Sequence, residues 1–248
     1  MLLGRDHRLF GAIATEHGSS GDVAAAICAG GVPDERFFRS KGDPAFPNED
    51  ACCFVDDGRR LLLAVADAHF GRSASERFIE AVATAQPPAD PAAFRALLAD
   101  LDRLAPEPQT ASSTTLIVAV LDRTTREAMA ASYGDSSLLR ITAGGATRAV
   151  PRGARFLVPG EALGEPEGLL SWRLQPHEVV VLHSDGIDEA FGSHGGVMPK
   201  DVARLCALCG GDPVLLARAI AAAALQGPID DPSVDGGRDN VAVLVARP

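Results

Sequence analysis

Short apolar runs alternate with turn-forming residues over most of the chain, and their lengths are typical of β-strands. Two of these runs flank Asp56-Asp57-Gly58, and Asp-Gly is typical of the tight turn in a β-hairpin. The run that begins at Val179 is continuously apolar and β-branched, which predicts a buried strand. The other predicted strands are Val23–Cys28, Ala51–Val55, Leu61–Ala66, Thr114–Leu121, Ala128–Tyr133, Ser137–Ile141, Ala154–Val158, Leu169–Leu174 and Val241–Ala246.

Two pairs of helices are predicted where the apolar period lengthens. Ser73 and Glu76 form a capping box at the start of the first helix, and Asp90-Pro91 supplies an N-cap and a first-turn proline for the second. The second pair is predicted at Pro199–Cys209 and Asp212–Leu225. Strands joined by hairpins, with helices arriving in pairs, indicate an α+β fold in which antiparallel sheets are covered by helices.

The chain of 248 residues is long enough for one large core, and we expect a single domain over residues 1–248. Residues 1–23 show little periodicity and include Gly18-Ser19-Ser20-Gly21, so we expect an irregular N-terminal arm or edge there. No apolar run approaches the roughly 18 residues of a membrane span, and the first residues lack an export signal. We therefore expect a cytoplasmic protein without a membrane partner.

Charge and cysteine content narrow the classes of function. A net charge of −10 disfavours sequence-independent binding to nucleic acid. The five cysteines are odd in number and lie mostly in apolar contexts, which is unlike a disulfide framework. Cys206 and Cys209 form a C-x-x-C, but no second pair completes a zinc site, and helix packing is favoured over metal or redox chemistry.

Acidic residues stand at the edges of four predicted strands. They are Glu49 with Asp50, Asp67, Asp185 and Asp239. Four such positions in one domain suggest a cage of carboxylates, whose hard oxygen atoms prefer Mg²⁺ or Mn²⁺ to Zn²⁺. Two ions about 3.5–4 Å apart can activate a water and hold a phosphoryl oxygen. The pattern therefore predicts a metal-dependent phosphatase.

Each acidic motif also has a structural interpretation when it is taken alone. Asp185 and Asp135 could be turn residues, the Glu49-Asp50 pair could be solvated surface, and Asp239 could cap a strand. A single histidine such as His69 is more often structural than catalytic. The chain contains no G-x-S-x-G, H-E-x-x-H or Walker-type glycine motif, so a protein nucleophile and nucleotide hydrolysis are disfavoured.

The order of the motifs is more specific than any one of them. In sequence they are Asn48-Glu49-Asp50-Ala51, Val65-Ala66-Asp67-Ala68-His69-Phe70-Gly71, Ser113-Thr114-Thr115, Gly134-Asp135-Ser136, Ala162-Leu163-Gly164, Ser184-Asp185-Gly186 and Arg238-Asp239-Asn240. From about Asn48 to Val245 the chain thereby resembles the PP2C family of metal-dependent protein serine/threonine phosphatases, and its compactness resembles the bacterial branch. The resemblance implies a four-layer αββα fold, a central antiparallel β-sandwich flanked by helix pairs, with a binuclear metal site at one end.

The resemblance also implies a set of metal ligands. Asp67 would bridge two Mn²⁺ or Mg²⁺ ions, and the carbonyl of Ala68 would stand in for a glycine carbonyl of the family. Asp135 would contribute to a third, weaker metal site. The remaining ligands would be Asp185 and Asp239 at one ion and, directly or through waters, Glu49 and Asp50 at the other.

The general acid implied by the resemblance is His69, which would protonate the leaving serine or threonine oxygen. Two departures from the family surround it. Ala68 and Phe70 replace glycines of the usual Asp-Gly-His-Gly-Gly, and Phe70 places a bulky ring beside the site. No basic residue lies shortly before Asn48, although Arg39 and Lys41 lie further upstream.

We therefore hypothesise hydrolysis of phosphoserine or phosphothreonine on a protein, by a metal-activated water, in an enzyme that opposes a Ser/Thr kinase and is a monomer. The alternative is a catalytically silent pseudophosphatase that keeps the fold and binds a phosphoprotein or another partner. A third hypothesis is a two-metal phosphohydrolase that acts on a small phosphate ester.

Overall fold

The computed structural model describes residues 1–31, 43–104, 112–188, 196–226, 237 and 239–248. Within these ranges the chain forms two antiparallel sheets and four α-helices. The helices are α1 (Ser73–Thr84), α2 (Pro91–Leu101), α3 (Pro199–Leu208) and α4 (Pro213–Gln226). The strands are β1 (Leu2–Leu3), β2 (Ala14–His17), β3 (Val23–Cys28), β4 (Asp50–Asp56), β5 (Arg60–His69), β6 (Ser113–Thr114), β7 (Leu116–Asp122), β8 (Glu127–Tyr133), β9 (Ser137–Thr142), β10 (Gly145–Arg148), β11 (Gly168–Arg173), β12 (Val179–His183) and β13 (Val241–Ala246).

The two sheets stack face to face. The first has the order β1-β4-β5-β7-β8-β11, with β6 paired to the end of β5, and the second has the order β10-β9-β12-β13-β3-β2. Apolar side chains from both sheets fill the space between them, among them Val65, Ile117, Leu182 and Leu244. Alternate residues of the central strands point outwards and would be exposed to water without a second layer.

Helices cover both outer faces of the sandwich. Phe78 and Ile79 of α1 and Phe94 of α2 pack on the first sheet, while Ile220 of α4 and Val202 of α3 pack on the second. The predicted αββα arrangement of an antiparallel sandwich flanked by helix pairs is therefore confirmed. None of the helices in the described ranges is long and apolar enough to cross a membrane.

Of the irregular arm or edge expected for residues 1–23, the structure shows an edge, and it contains two short strands that the sequence did not predict. Leu2–Leu3 pairs with β4, and Ala14–His17 pairs with β3 at the edge of the second sheet. The first strand has two residues, and the second alternates half-buried with exposed positions. Such short edge strands obtain their hydrogen bonds from neighbours distant in sequence, so they carry little local signal.

Two predicted strands differ in the structure. Thr114–Leu121 is divided at Thr115, whose backbone N–H donates to the Asp67 carbonyl at 2.8 Å. Ala154–Val158 forms no ladder, and only Leu157 makes an isolated bridge, with Thr114. The short β6 strand offers this segment a single partner residue, which is too little for a ladder.

The capping prediction is correct for the start of α2 and wrong for the start of α1. Asp90 caps α2 as expected, since its side chain accepts a hydrogen bond from the Ala93 N–H at 2.8 Å. The Ser73–Glu76 capping box is wrong: Arg72 occupies the N-cap position, and Glu76 pairs with Arg5 at 2.8 Å. The Glu76 carboxylate, which the local sequence pattern predicts as part of the helix cap, thus forms an ion pair with a residue distant in sequence.

The C-x-x-C segment lies at the end of α3. Cys206 is buried on the helix and packs in the core beneath α3 and α4, and Cys209 follows the last turn. All five cysteines are free thiols. Burial raises the pKa of the Cys206 thiol, which leaves it less reactive than an ordinary thiol. Helix packing, the favoured interpretation, fits this position.

A buried carboxylate joins the edges of the two sheets. Glu178 accepts hydrogen bonds from Arg140 at 2.6 and 3.0 Å, from the Trp172 indole N–H at 3.0 Å and from the Gln175 backbone N–H at 2.9 Å. Burial alone would raise the pKa of Glu178, but these donors outweigh it and lower the pKa below its ordinary value.

We expect Glu178→Gln to lower the free energy of unfolding at pH 7 by about 3 kcal/mol, because it leaves the Arg140 charge only partly compensated. A carboxylate with a lowered folded pKa stabilises the fold above its unfolded pKa, about 4.3, and loses that contribution as the pH falls through the folded pKa. The difference between variant and wild type should therefore shrink in acid denaturation series. Glu127→Gln, on the exposed end of β8, is the control, and an equal loss in both variants would contradict this account.

Candidate functional site

The end of β5 holds two of the predicted ligands. Asp67 is buried, 3% exposed, and faces Asp50 across the β4–β5 pair. The Asp67 carbonyl accepts a hydrogen bond from the Thr114 hydroxyl at 2.9 Å, and the Asp67 N–H donates to the Thr115 hydroxyl oxygen at 3.2 Å. Ala68 follows and pairs with Thr114 of β6. The division of the predicted strand at Thr115 therefore fixes the backbone that carries Asp67.

A serine joins the two sheets beside this point. The Ser184 hydroxyl donates to Asp50 Oδ2 at 2.7 Å, and its oxygen accepts the Ala242 N–H at 2.9 Å. The Ser184 N–H in turn donates to the Ala242 carbonyl at 3.0 Å. Ser184 follows β12 and Ala242 lies in β13 of the second sheet, whereas Asp50 begins β4 of the first, so the contact joins the two sheets next to Asp185.

Asn240 holds the other predicted ligands near the same end of the sandwich. Its side-chain oxygen accepts the Glu49 N–H at 2.8 Å, and its side-chain nitrogen donates to the Pro47 carbonyl at 2.9 Å. Its own N–H donates to Asp239 Oδ1 at 2.7 Å. A β-carbon added to Gly186 would lie 1.9 Å from the Asn240 carbonyl oxygen, so only glycine permits this approach of the Asp185 and Asp239 segments.

The electrostatics of Asp185 show which carboxylates converge. Asp185 begins a short 3₁₀ helix directly after β12 and is buried. Burial raises its pKa well above the ordinary value, and the negative charges of Asp67, Asp239 and Asp135 raise it further. Four carboxylates from four separate segments therefore lie within electrostatic reach of one another.

The chemistry of this donor set fits divalent cations. Its side-chain donors are hard carboxylate oxygens, with no thiolate among them, which is the set that Mg²⁺ and Mn²⁺ prefer. A cation would also offset the repulsion that raises the pKa of Asp185. Among the described residues, no three His, Cys, Asp or Glu side chains already form a complete ligand group around one point.

Asp135 reaches the cluster from the turn between β8 and β9. Gly134 has a positive φ of 83°, and Ser136 shares a hydrogen bond of 2.6 Å with the Thr115 hydroxyl. This contact ties the turn to the residue that fixes Asp67.

His69 ends β5 and lies at the edge of the cluster. It pairs with Ser113 of β6, and its ring makes an edge contact with Phe156 at 4.6 Å between centroids. Phe70 follows in the left-handed conformation, with φ 61°, and its side chain is 60% exposed. The predicted acid therefore lies beside two aromatic rings, of which sequence reasoning had identified only Phe70.

Two arginines that the sequence did not single out lie near the start of β4. Arg72 stacks on Phe46 with its guanidinium 3.9 Å from the ring centroid, and Arg8 lies 5.0 Å from the same centroid. Phe46 precedes Asn48 by two residues, in the segment where no basic residue occurs. Arg39 and Lys41, considered upstream, lie outside the described residues.

The structure also shows a buried aspartate that sequence reasoning missed. Asp188 accepts hydrogen bonds from Arg148 and Arg152, and its N–H donates to the Asp185 carbonyl at 2.9 Å. The Asp188 side chain is 3% exposed. The adjoining Ser-Asp-Gly motif could have drawn attention to it, but its arginine partners lie 36 and 40 residues away.

Comparison with solved structures supports the fold. A serine/threonine phosphatase from Mycobacterium smegmatis, MsPP, shares 21% identity, with 91% of this chain and 97% of that one covered and a TM-score of 0.60. The catalytic domain of the phosphatase PstP, solved with two manganese ions, shares 21% identity, with 95% and 99% covered and a TM-score of 0.62. RsbX in complex with magnesium shares 12% identity, with 95% and 99% covered and a TM-score of 0.56. At these identities the likeness shows the fold.

Sequence comparison identifies the family. No curated protein sequence matches the chain. The sequence profile described as stage II sporulation protein E, SpoIIE, matches residues 57–248. That range includes His69 and the four acidic residues that lie near one another, which are Asp67, Asp135, Asp185 and Asp239. The chain therefore belongs to the SpoIIE family of PP2C-like domains.

Proposed function

We propose that the protein is a metal-dependent protein serine/threonine phosphatase that hydrolyses phosphoserine and phosphothreonine at a site for two Mn²⁺ or Mg²⁺ ions. The observation that carries this proposal is the convergence of Asp67, Asp135 and Asp239 on buried Asp185. The manganese and magnesium in the PstP and RsbX structures support the choice of ions.

Each carboxylate has a proposed place in that site. Asp67 would be a ligand shared by both ions, and the carbonyl of Ala68 would add a ligand. Asp185 and Asp239 would hold one ion, Glu49 and Asp50 would hold the other directly or through waters, and Asp135 would belong to a third, weaker site. Bound ions would supply Lewis acidity and lower the pKa of the attacking water.

The remaining chemistry belongs to the protein's own side chains. His69 donates a proton to the leaving oxygen of serine or threonine, which would otherwise depart as a poor alkoxide. Arg8 and Arg72, stacked on Phe46, are basic groups that could meet a phosphate in place of the residue absent before Asn48. The substrate is a phosphoprotein made by a Ser/Thr kinase, and the enzyme acts as a monomer.

The second candidate is a pseudophosphatase that binds a phosphoprotein without turnover. The exposed ring of Phe70 favours it, because a bulky group in place of a glycine narrows the access of a substrate to the site. A two-metal hydrolase of small phosphate esters would use the same carboxylates.

Phosphate release separates these candidates. A phosphothreonine peptide and a small aryl phosphate are each incubated with Mn²⁺, with Mg²⁺ and with EDTA. The proposal predicts metal-dependent release that is faster from the peptide and that stops with EDTA. Peptide binding without release would favour the pseudophosphatase, and a preference for the small ester would favour the third hypothesis.

A further inference from the structure

Phe70 combines two features that are each unfavourable. It is a non-glycine residue with φ 61°, a left-handed conformation that costs of order 1–3 kcal/mol in a bulky residue. Its ring is also 60% exposed, although burial would stabilise the fold. Strained residues of this kind are concentrated at functional sites.

The turn that carries Phe70 is fixed on both sides. The Ser112 hydroxyl donates to the Gly71 carbonyl, and its oxygen accepts the Ala74 N–H at 3.2 Å. On the other side His69 pairs with Ser113. The exposed ring therefore projects from an ordered turn rather than from a loose loop, and its position is part of the fold.

A second aromatic residue, Phe156, also lies beside His69. The ring of Phe156 lies 4.6 Å from the His69 ring, and the ring of Phe70 lies 6.4 Å from it. Phe156 is held because Leu157 exchanges two backbone hydrogen bonds with Thr114, at 2.7 and 2.8 Å. The proposed acid thus has a phenyl ring of Phe156 and a phenyl ring of Phe70 as neighbours.

We infer that Phe70 is a specificity-determining residue, which selects phosphoproteins with an apolar side chain immediately beside the phosphorylated serine or threonine. The inference rests on the proposed function, since it takes His69 to be beside the leaving oxygen. The residues flanking that oxygen in a peptide must then pass Phe70 and Phe156. An apolar side chain next to the phosphorylated residue would cover the exposed ring of Phe70. A polar side chain there would lose its bound water without gaining a hydrogen bond.

Two phosphothreonine peptides that differ only in the flanking residue, Leu or Ser, test this inference. We expect wild-type kcat/KM to favour the Leu peptide about tenfold, in the range of small apolar discriminations. Phe70→Gly should remove the preference by lowering kcat/KM for the Leu peptide, and Phe70→Leu should keep part of it. Leu208→Ala, at an exposed position of α3, is the matched control and should keep the wild-type preference.

Three results would overturn the inference. The wild type could treat both peptides alike, or Phe70→Gly could raise kcat/KM equally for both, which would make Phe70 a steric obstacle. Self-association that Phe70→Gly abolishes, with the preference unchanged, would make it a contact between copies.

A binding measurement keeps this inference separate from the proposed function. If the wild type releases no phosphate from any peptide or ester, the proposed function fails. In that case, fluorescence polarisation with Mn²⁺ present measures the affinity of the labelled Leu and Ser peptides for the wild type and for Phe70→Gly. A Leu preference that depends on Phe70 would support the selectivity without turnover, and equal binding would remove it.

Discussion

Replacing Asp67 by Asn is expected to lower Mn²⁺-dependent phosphate release by about a thousandfold or more, because it removes the carboxylate that we propose as a ligand of both ions and with it several kcal/mol of transition-state stabilisation. Asn retains the size of the side chain and one oxygen, but it lacks the negative charge that we propose binds both cations. The same substitution removes one of the negative charges that raise the pKa of Asp185. In EDTA the variant should therefore melt at a temperature equal to or higher than that of the wild type.

Loss of activity with retained stability is the result expected for a metal ligand, whereas replacement of a structural residue would also lower stability. Asp100→Asn is the control, since Asp100 is an exposed α2 residue in a single surface ion pair with Arg103. It should leave both activity and melting temperature near the wild-type values. Wild-type activity in Asp67→Asn would contradict the assigned role, and so would a large loss of stability in EDTA.

The second large effect is expected at Asp188, where Asp188→Asn should lower the free energy of unfolding by about 3 kcal/mol. An amide oxygen cannot compensate Arg148 and Arg152 together, and both guanidinium groups would remain near the protein interior. The estimate lies at the lower end of the range for buried pairs because the arginine side chains are 26% and 28% exposed. Denaturant unfolding measures the loss.

The position of Asp188 adds a second expected effect. Its N–H donates to the Asp185 carbonyl, so loosening Asp188 should weaken Mn²⁺ binding by roughly tenfold, as for other residues that orient metal ligands. Arg148→Lys keeps a positive charge and should cause a smaller loss of both stability and affinity. If Asp188→Asn lowers stability but leaves the Mn²⁺ affinity unchanged, Asp188 is a purely structural residue and the second expected effect is wrong.

The sheets were predictable from sequence because the central strands are buried on both faces. Val179–His183 and Val241–Ala246 are continuous apolar runs, and Asp57-Gly58 marks the hairpin between β4 and β5. The acidic positions were predictable for a related reason, since those at the edges of strands come shortly before or after such a run. Their convergence needed the order of the motifs and the resemblance that it carries.

Features that depend on distant partners were not predictable. Glu76 fits a capping box by spacing, yet it pairs with Arg5, 71 residues away. The two edge strands before residue 23 exist because β3 and β4 offer them free edges. Asp188 and Phe156 acquire their importance from Arg148 and His69, contacts that only the folded chain brings about.

The central claim, that the carboxylates around Asp185 bind the catalytic metal ions, is tested most directly by calorimetric titration of Mn²⁺ into metal-free protein. We predict that the wild type binds two equivalents, with a weaker third, and that Asp67→Asn loses the two-ion binding while Asp100→Asn retains it. Absence of Mn²⁺ binding to a folded wild type, or identical binding by Asp67→Asn, would contradict the claim.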